Sequence, residues 1–221
     1  MSLDCVSAFD DLLDLLLPAR CALCPTMGSP ICPGCLGKLD WQARVVNRDG
    51  LPGQVAANYG PNERALIKAF KEHGQTSLVS FLARPMVPLL HSLTGEVGLP
   101  LVVPIPSGRA NFLKRGFAPA KVLAKRVNRV AGHPARVVQG LAFNREVLDQ
   151  STLDADARAR NLVGSMTGRV WLAGRSVILV DDIVTTGATI LEAARAVTEV
   201  GGRVVGFLAF SETILKTQSK T

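Results

Sequence analysis

Residues 177–189, VILVDDIVTTGAT, combine an apolar run, two adjacent carboxylates and a turn of small residues. The apolar run predicts a buried strand that delivers Asp181 and Asp182 to the carboxyl end of a parallel sheet, where α/β folds place ligands. Five small residues then turn into a helix: Thr185, Thr186, Gly187, Ala188 and Thr189. Free backbone N–H groups at a helix start, together with threonine hydroxyls, favour a phosphate. The segment therefore predicts a phosphate site whose ligand also carries either hydroxyl groups, such as those of a ribose, or a divalent cation for the two acids.

Another class of protein also carries paired acids after an apolar strand, namely the response regulators. They lack an immediate threonine-glycine turn that leads into a helix. The turn at residues 185–189 therefore favours a sugar phosphate as the ligand of this chain.

Four of the five cysteines form two C-x-x-C pairs, separated by seven residues: Cys21, Cys24, Cys32 and Cys35. Two tight turns that bring four thiolates onto one ion suit tetrahedral structural zinc. A closed four-cysteine site leaves no open coordination position, so we expect it to stabilise the fold and not to catalyse. A redox pair or free thiols are the alternatives. We expect Cys5 to be a small core residue on the first helix.

A basic segment follows the apolar run 99–104 and should lie at the same sheet edge as Asp181. Its prolines fix the backbone, and Gly108 allows close approach of a ligand. Arg109, Lys114 and Arg115 are candidates to hold pyrophosphate oxygens, Arg by a two-pronged contact. The alternative is a solvated basic turn.

Residues 144–164 form a long polar stretch rich in Arg and Asp. Residues 177–189 resemble a segment of type I phosphoribosyltransferases, which carry at the place of this stretch a mobile flap that closes over the leaving pyrophosphate and excludes water. The resemblance implies such a flap here, with an exposed loop as the alternative. The candidates to meet pyrophosphate are Arg145, Arg158 and Arg160, with Gln150 and Asn161 as polar companions. Upstream, Lys68 and Lys71 share a helix face. We expect Lys68 to be solvated and leave open whether Lys71 points into the acceptor side of the cleft.

Hydrophobic periodicity predicts strands that alternate with helices, and hence a parallel sheet covered on both faces. The predicted helices are 3–17, 62–73, 77–93 (interrupted at Pro85 and Pro88), 118–131 and 189–200. The predicted strands are 54–59, 99–104, 135–140, 169–172, 176–180 and 203–210. The predicted organisation is a helix, cysteine knuckle and linker (42–53) within residues 1–53, an α/β domain at 54–213 and a polar tail at 214–221.

The composition of the chain indicates which classes of binding partner it suits. The chain has 221 residues, is 48% hydrophobic and carries 25 Lys and Arg against 18 Asp and Glu, a formal charge of +7. Such a charge suits polyanions such as nucleotides, pyrophosphate or nucleic acid, but it is also ordinary for a soluble protein. No segment has the length of a membrane helix or the pattern of a secretory signal, so we expect a cytoplasmic protein without membrane insertion.

The segment VILVDDIVTTGAT resembles the donor signature of type I phosphoribosyltransferases at all thirteen positions. The resemblance implies that Asp181 and Asp182 bind the ribose of phosphoribosyl pyrophosphate and that Thr185 to Thr189 bind its 5-phosphate. It also implies Mg²⁺, held mainly by pyrophosphate and ribose oxygens.

A cysteine knuckle followed by this core is similar to the ComF family, also labelled GntX or competence protein F. The similarity includes LLDLLLPARCALC, IKAFKEHG, VVPIPSGRANFLKRGF and NREVLDQSTLDADARARNLVG. One departure is the segment Ala118-Pro119-Ala120, where relatives often have Asn-Gln, which puts a ligand contact there in doubt.

Three functions remain open at this point. The first is a phosphoribosyltransferase with an unknown nitrogen acceptor. The second, implied by the ComF resemblance, is a DNA-uptake accessory protein that binds single-stranded DNA and uses the phosphoribosyl site as sensor or scaffold. Aromatic residues make up only 5% of the chain, which counts modestly against a dedicated single-strand binder. The third is a regulator that binds the donor without turnover. A homodimer or competence-machinery partners are possible assemblies.

Overall fold

The computed structural model describes residues 20–95, 99–145 and 162–213. The predicted helix 3–17, Cys5 and the tail 214–221 lie outside the described residues, as do residues 146–161 of the predicted flap.

A six-stranded sheet in the order β1-β2-β8-β7-β3-β4 forms the centre of the protein. Its strands are β1 (Arg44–Arg48), β2 (Leu51–Asn58), β3 (Leu101–Pro104), β4 (Arg136–Val137), β7 (Ser176–Val184) and β8 (Arg203–Glu212). All neighbouring pairs are parallel except β1 and β2, which are antiparallel. A separate antiparallel hairpin consists of β5 (Leu141–Phe143) and β6 (Met166–Gly168).

Helices pack on both faces of the sheet. They are α1 (Pro33–Leu36), α2 (Pro61–Glu72), α3 (Val79–Ala83), α4 (Val87–Gly95), α5 (Arg109–Arg115), α6 (Pro119–Val130) and α7 (Ala188–Glu199). Two short 3₁₀ turns, Thr76–Leu78 and Arg84–Met86, flank α3, so the predicted helix 77–93 is broken around Pro85 as expected.

Alternation along the strands divides the core into two layers. Ile178 of β7 and Leu208 of β8 face a cluster that includes buried residues of α2, α3, α4 and α6, together with Cys21 and Cys35. Leu179 and Phe207 face the other cluster, which α7 and the β5–β6 hairpin cover. The predicted α/β fold, a parallel sheet with helices on both faces and a small N-terminal cysteine segment, is confirmed.

The predicted linker 42–53 is wrong, because it forms β1 and the first residues of β2. A two-residue turn joins the strands: Asp49 and Gly50 have φ of 49° and 87°, and Asn47 Oδ1 accepts a 2.8 Å hydrogen bond from the Gly50 N–H. An Asp-Gly pair with positive φ at both positions is typical of a tight hairpin. The main sheet therefore begins at Arg44 and not at residue 54.

Two other predicted strands differ from the structure. Residues 135–140 contain only the two-residue strand β4, after which the chain bends into β5. Residues 169–172 are a connection, in which the Leu172 N–H donates to the Val200 carbonyl at 2.9 Å. The strand in this region is β6, three residues earlier. In the described part of the chain, no helix has both the length and the apolar character needed to cross a membrane.

Candidate functional site

The four clustered cysteines converge on one point. The Sγ atoms of Cys21, Cys24, Cys32 and Cys35 all lie within 4.8 Å of one another, and those of Cys24 and Cys32 are 3.6 Å apart. Four thiolates around one zinc ion, with bonds near 2.3 Å, would lie about 3.8 Å apart. The four residues are free thiols, and their spacing fits a tetrahedral metal ion.

Local hydrogen bonds shape the acidity of this cluster. The Thr26 side chain and backbone lower the pKa of Cys24 to about 6. The hydrogen bond to Cys24 and burial raise the pKa of Cys35 to about 12. Binding a metal would require all four as thiolates and would release protons.

The two adjacent carboxylates lie inside strand β7 and not after it, because β7 continues to Val184. Asp181 is half-buried and Asp182 is only 3% exposed. Asp181 Oδ1 accepts a 2.8 Å hydrogen bond from the Asp182 N–H, and Asp182 Oδ1 accepts a 2.9 Å bond from the Ile183 N–H. Burial and the charge of Asp182 raise the pKa of Asp181 well above its usual range.

Lys71, near the end of α2, pairs with the more buried acid. Its Nζ atom lies 2.9 Å from Asp182 Oδ2 and 3.1 Å from Oδ1. Burial lowers the pKa of Lys71, but the charges of Asp182 and Asp181 outweigh that effect and raise it. Lys71 therefore belongs to the same charge cluster as the two acids. Lys68, one helical turn earlier, is exposed, as expected of a solvated side chain.

The turn of small residues after β7 leads into α7, as predicted, and the helix begins at Ala188. Gly187 is the N-cap, with φ of 90°, a value that favours glycine. The Ala188 N–H donates to Thr186 Oγ1 at 3.3 Å. Because glycine has no side chain to cap the helix, the first-turn N–H groups beyond that of Ala188 face no N-cap side chain that would compete with an anion.

Arg48 packs against this turn and was not predicted from the sequence. A Cβ atom at Gly187 would lie 2.8 Å from both Cγ and Cδ of Arg48. The Arg48 Nε–H donates to the Thr185 carbonyl at 3.4 Å, and its guanidinium pairs with Glu212 at the end of β8. The missed signal was the Asp-Gly hairpin, which makes residues 44–48 a strand of the main sheet.

The basic segment after β3 starts at the same sheet edge as the acids. Pro104 pairs with Val180, and the Ile105 N–H donates to the Val180 carbonyl at 2.9 Å. Within α5, Lys114 Nζ lies 3.5 Å from Glu72, and the guanidinium of Arg115 also pairs with Glu72. Two of the three predicted pyrophosphate residues therefore share one carboxylate, which sequence reasoning missed.

A cleft of about 890 Å³ opens beside α5. Its described lining includes four basic residues (Arg109, Lys121, Arg145 and Arg169) and the rings of Phe112, Phe117 and Phe143. The acids of β7 and the turn 185–189 are not among these lining residues. The Arg145 guanidinium donates to the Val163 carbonyl at 3.1 Å. Arg158, Arg160, Gln150 and Asn161 lie outside the described residues.

The chain is similar in sequence to a known protein domain and to two bacterial proteins. Residues 112–217 match the family model of the phosphoribosyl transferase domain. The DNA utilization protein YhgH of Escherichia coli (strain K12) is 27% identical over 202 residues, covering 87% of this chain and 85% of that protein. The competence protein ComFC of Bacillus subtilis (strain 168) is 27% identical over 187 residues, covering 81% and 72%.

Among solved structures, an orotate phosphoribosyltransferase from Mycobacterium tuberculosis H37Rv superposes with a TM-score of 0.40 and 17% identity, covering 81% of each chain. The family model and the two relatives carry the comparison. They confirm the predicted resemblance to the ComF family. Residues 112–217 are similar to a phosphoribosyl transferase domain, and the chain is related over most of its length to the DNA utilization and competence proteins.

Proposed function

We propose that the protein binds phosphoribosyl pyrophosphate with Mg²⁺ at the carboxyl edge of β7 and transfers the phosphoribosyl group to a nitrogen acceptor. The observation that best supports this proposal is the placement of Asp181 and Asp182 in β7, immediately before the glycine turn that starts α7. Acids beside a phosphate turn suit a ligand that carries both hydroxyl groups and a phosphate.

Each part of the donor then has a partner. Asp181 and Asp182 accept hydrogen bonds from the two ribose hydroxyls, and the N–H groups of the turn 185–189 bind the 5-phosphate. Lys71 fixes the position of the Asp182 carboxylate through its ion pair.

The pyrophosphate is assigned to the basic residues that follow β3 and border the predicted flap. Arg109, Lys114 and Arg115 come from α5, with Arg145 and Arg158 as further candidates. Departure of pyrophosphate from carbon 1 leaves an oxocarbenium-like ribose, and the cationic side chains stabilise the charge that moves onto the leaving group. Mg²⁺ bound with the donor would screen the pyrophosphate charge, with the hard oxygens of Asp181 and Asp182 as its nearby protein partners.

The cysteine cluster is assigned to a structural zinc ion. The support is the convergence of four Sγ atoms within 4.8 Å and the burial of Cys21 and Cys35 in the core layer that also contains α2. A four-thiolate site has no open position, so zinc would stabilise the N-terminal segment against the sheet.

Turnover is the direct test of the transferase proposal. Pyrophosphate release from the donor and Mg²⁺ would be followed over a panel of nucleobases and amines. Release that depends on one acceptor supports transfer. Saturable donor binding without release on any acceptor would leave the site as a sensor or scaffold and contradict transfer.

A second candidate function is binding of single-stranded nucleic acid. It is favoured by the names of the relatives, which concern DNA utilization and competence, and by the basic cleft with its phenylalanine rings. Phosphate contacts make such affinity fall steeply with salt. If the chain does not bind a single-stranded oligonucleotide at low salt, this function is excluded. An affinity for the oligonucleotide that falls steeply as the salt concentration rises would support it.

A further inference from the structure

The hairpin formed by β1 and β2 touches the turn that the proposed function assigns to the 5-phosphate. This hairpin lies outside residues 112–217, the part of the chain that matches the phosphoribosyl transferase domain. Its contact residue is Arg48, whose aliphatic carbons leave no room for a Cβ atom at Gly187. The close approach depends on glycine on one side and on a long side chain on the other.

Three partners fix the guanidinium of Arg48. It donates to the Thr185 carbonyl at 3.4 Å and to the Asn47 carbonyl at 3.0 Å, and it pairs with the Glu212 carboxylate. The side chains of Arg48 and Glu212 are only 15% and 8% exposed. A side chain with so many partners and so little exposure occupies one position.

The charge behind the turn is positive on balance. Arg44 Nε lies 2.7 Å from the same Glu212 carboxylate, so two guanidinium groups share one acid. Of the two, Arg48 is the one with a hydrogen bond and a packing contact to the turn.

From these contacts we infer that Arg48 is a positioning residue for the 5-phosphate turn, an inference that rests on the proposed donor site. Arg48 holds the Thr185 carbonyl toward the hairpin through their hydrogen bond. This orientation favours binding, since a carbonyl oxygen turned into the site would repel a phosphate. The stem of Arg48 supports Gly187 from behind, which fixes the backbone whose N–H groups bind the anion. The N-terminal hairpin is thus an integral part of the donor site.

The test compares two arginines that share Glu212. Arg48→Met and Arg44→Met both remove a charge from this carboxylate, but only Arg48 touches the turn. Calorimetric titration of the full chain with ribose 5-phosphate, and separately with Mg²⁺-pyrophosphate, measures the two halves of the donor site. Urea unfolding midpoints show whether the two variants lose similar stability.

The expected result is specific to one ligand. Arg48→Met weakens ribose 5-phosphate binding by about tenfold or more, as displacement of a site backbone does, and leaves pyrophosphate affinity within about twofold. Arg44→Met changes both affinities by less than about twofold. Arg48→Lys, which keeps the stem and the charge, restores part of the ribose 5-phosphate affinity.

Several outcomes would overturn the inference. One is that Arg48→Met binds ribose 5-phosphate as tightly as wild type does. Another is that Arg44→Met loses as much ribose 5-phosphate affinity as Arg48→Met. A third is that Arg48→Met loses pyrophosphate affinity to the same extent as ribose 5-phosphate affinity. In those cases wild-type binding still supports the donor site. Absence of ribose 5-phosphate binding by the wild-type chain would instead overturn both the donor site and the role of Arg48.

Discussion

Lys71 Nζ lies 2.9 Å from Asp182 Oδ2, so the end of helix α2 reaches strand β7 at the centre of the candidate site. The adjacent residue Glu72 pairs with Lys114 and Arg115 of α5. One turn of α2 therefore contacts both the acids proposed for ribose and the basic residues proposed for pyrophosphate. The relative placement of these two groups depends on α2.

Removal of the Lys71 ammonium group should destabilise the protein strongly. Lys71→Met leaves the buried carboxylate of Asp182 without its cation, and breaking a buried pair in this way costs about 3 kcal/mol. The control is Lys68→Met on the same helix, which should change the free energy of unfolding by less than about 0.5 kcal/mol. Urea denaturation near neutral pH measures both. Equal stability of the two variants would show that the pair contributes little.

The raised pKa of Lys71 sets the pH range of this contribution. A lysine whose pKa is higher in the folded chain stabilises fully below its ordinary value of 10.5. The stabilisation is lost as pH rises through the higher folded value. The difference between wild type and Lys71→Met should therefore be constant around neutrality and shrink only in alkaline solution. A difference that disappears on mild acidification would contradict this assignment.

Asp181→Asn should stabilise the fold while it removes donor binding. Burial and Asp182 raise the pKa of Asp181, so ionisation of Asp181 opposes folding. Below the ordinary value of 3.8, the acid is protonated in both states and the substitution has little effect. As pH rises above that value, the unfolded chain ionises first, so the variant gains stability relative to wild type. Unfolding measured across this range checks the sign, and a variant less stable than wild type at neutral pH would refute it.

Gly187→Ala should damage the phosphate turn. Alanine at φ of 90° costs about 1 kcal/mol, and its overlap with Arg48 adds ~2 kcal/mol. Gly174 offers a matched control, since it also has positive φ (69°) but open space around its Cβ position. Gly174→Ala should show only the backbone cost and retain ribose 5-phosphate binding. Equal unfolding free energies for the two variants would contradict the close packing of Arg48.

Removal of the metal should expose the structural role of the cysteine cluster. Metal analysis of the purified chain should find about one zinc per chain, and Cys32→Ser should lose it. Chelation should lower the melting temperature by at least ~5 °C, the shift that ~2 kcal/mol produces in a chain of this size. A chelator-insensitive melting temperature, or zinc retained in Cys32→Ser, would argue for free thiols or a redox pair.

Apolar patterning made most of the central sheet predictable. Strands β3, β7 and β8 are buried on both faces, so they appear in the sequence as continuous apolar runs. Strand β1 is a half-exposed edge strand with the sequence RVVNR, which resembles a polar linker. Its place became visible only through pairing with β2 and through the Asp-Gly turn.

The candidate site was predictable where chemistry is local in sequence. The acids and the turn after them lie within one short segment, as do the four cysteines. Lys71, Glu72 and Arg48 act through partners more than forty positions away along the chain. Their roles depend on tertiary packing, and a charged side chain on a helix or strand face gives no signal of it.

The most direct test of the donor site is calorimetric titration of phosphoribosyl pyrophosphate into the full chain with and without Mg²⁺. The wild type should bind saturably and more tightly with Mg²⁺, and Asp49→Asn, on the exposed hairpin turn, should bind equally well. The double variant Asp181→Asn with Asp182→Asn should show no binding while it remains folded. Donor affinity unchanged in that double variant would contradict the assignment of the acids to the ribose.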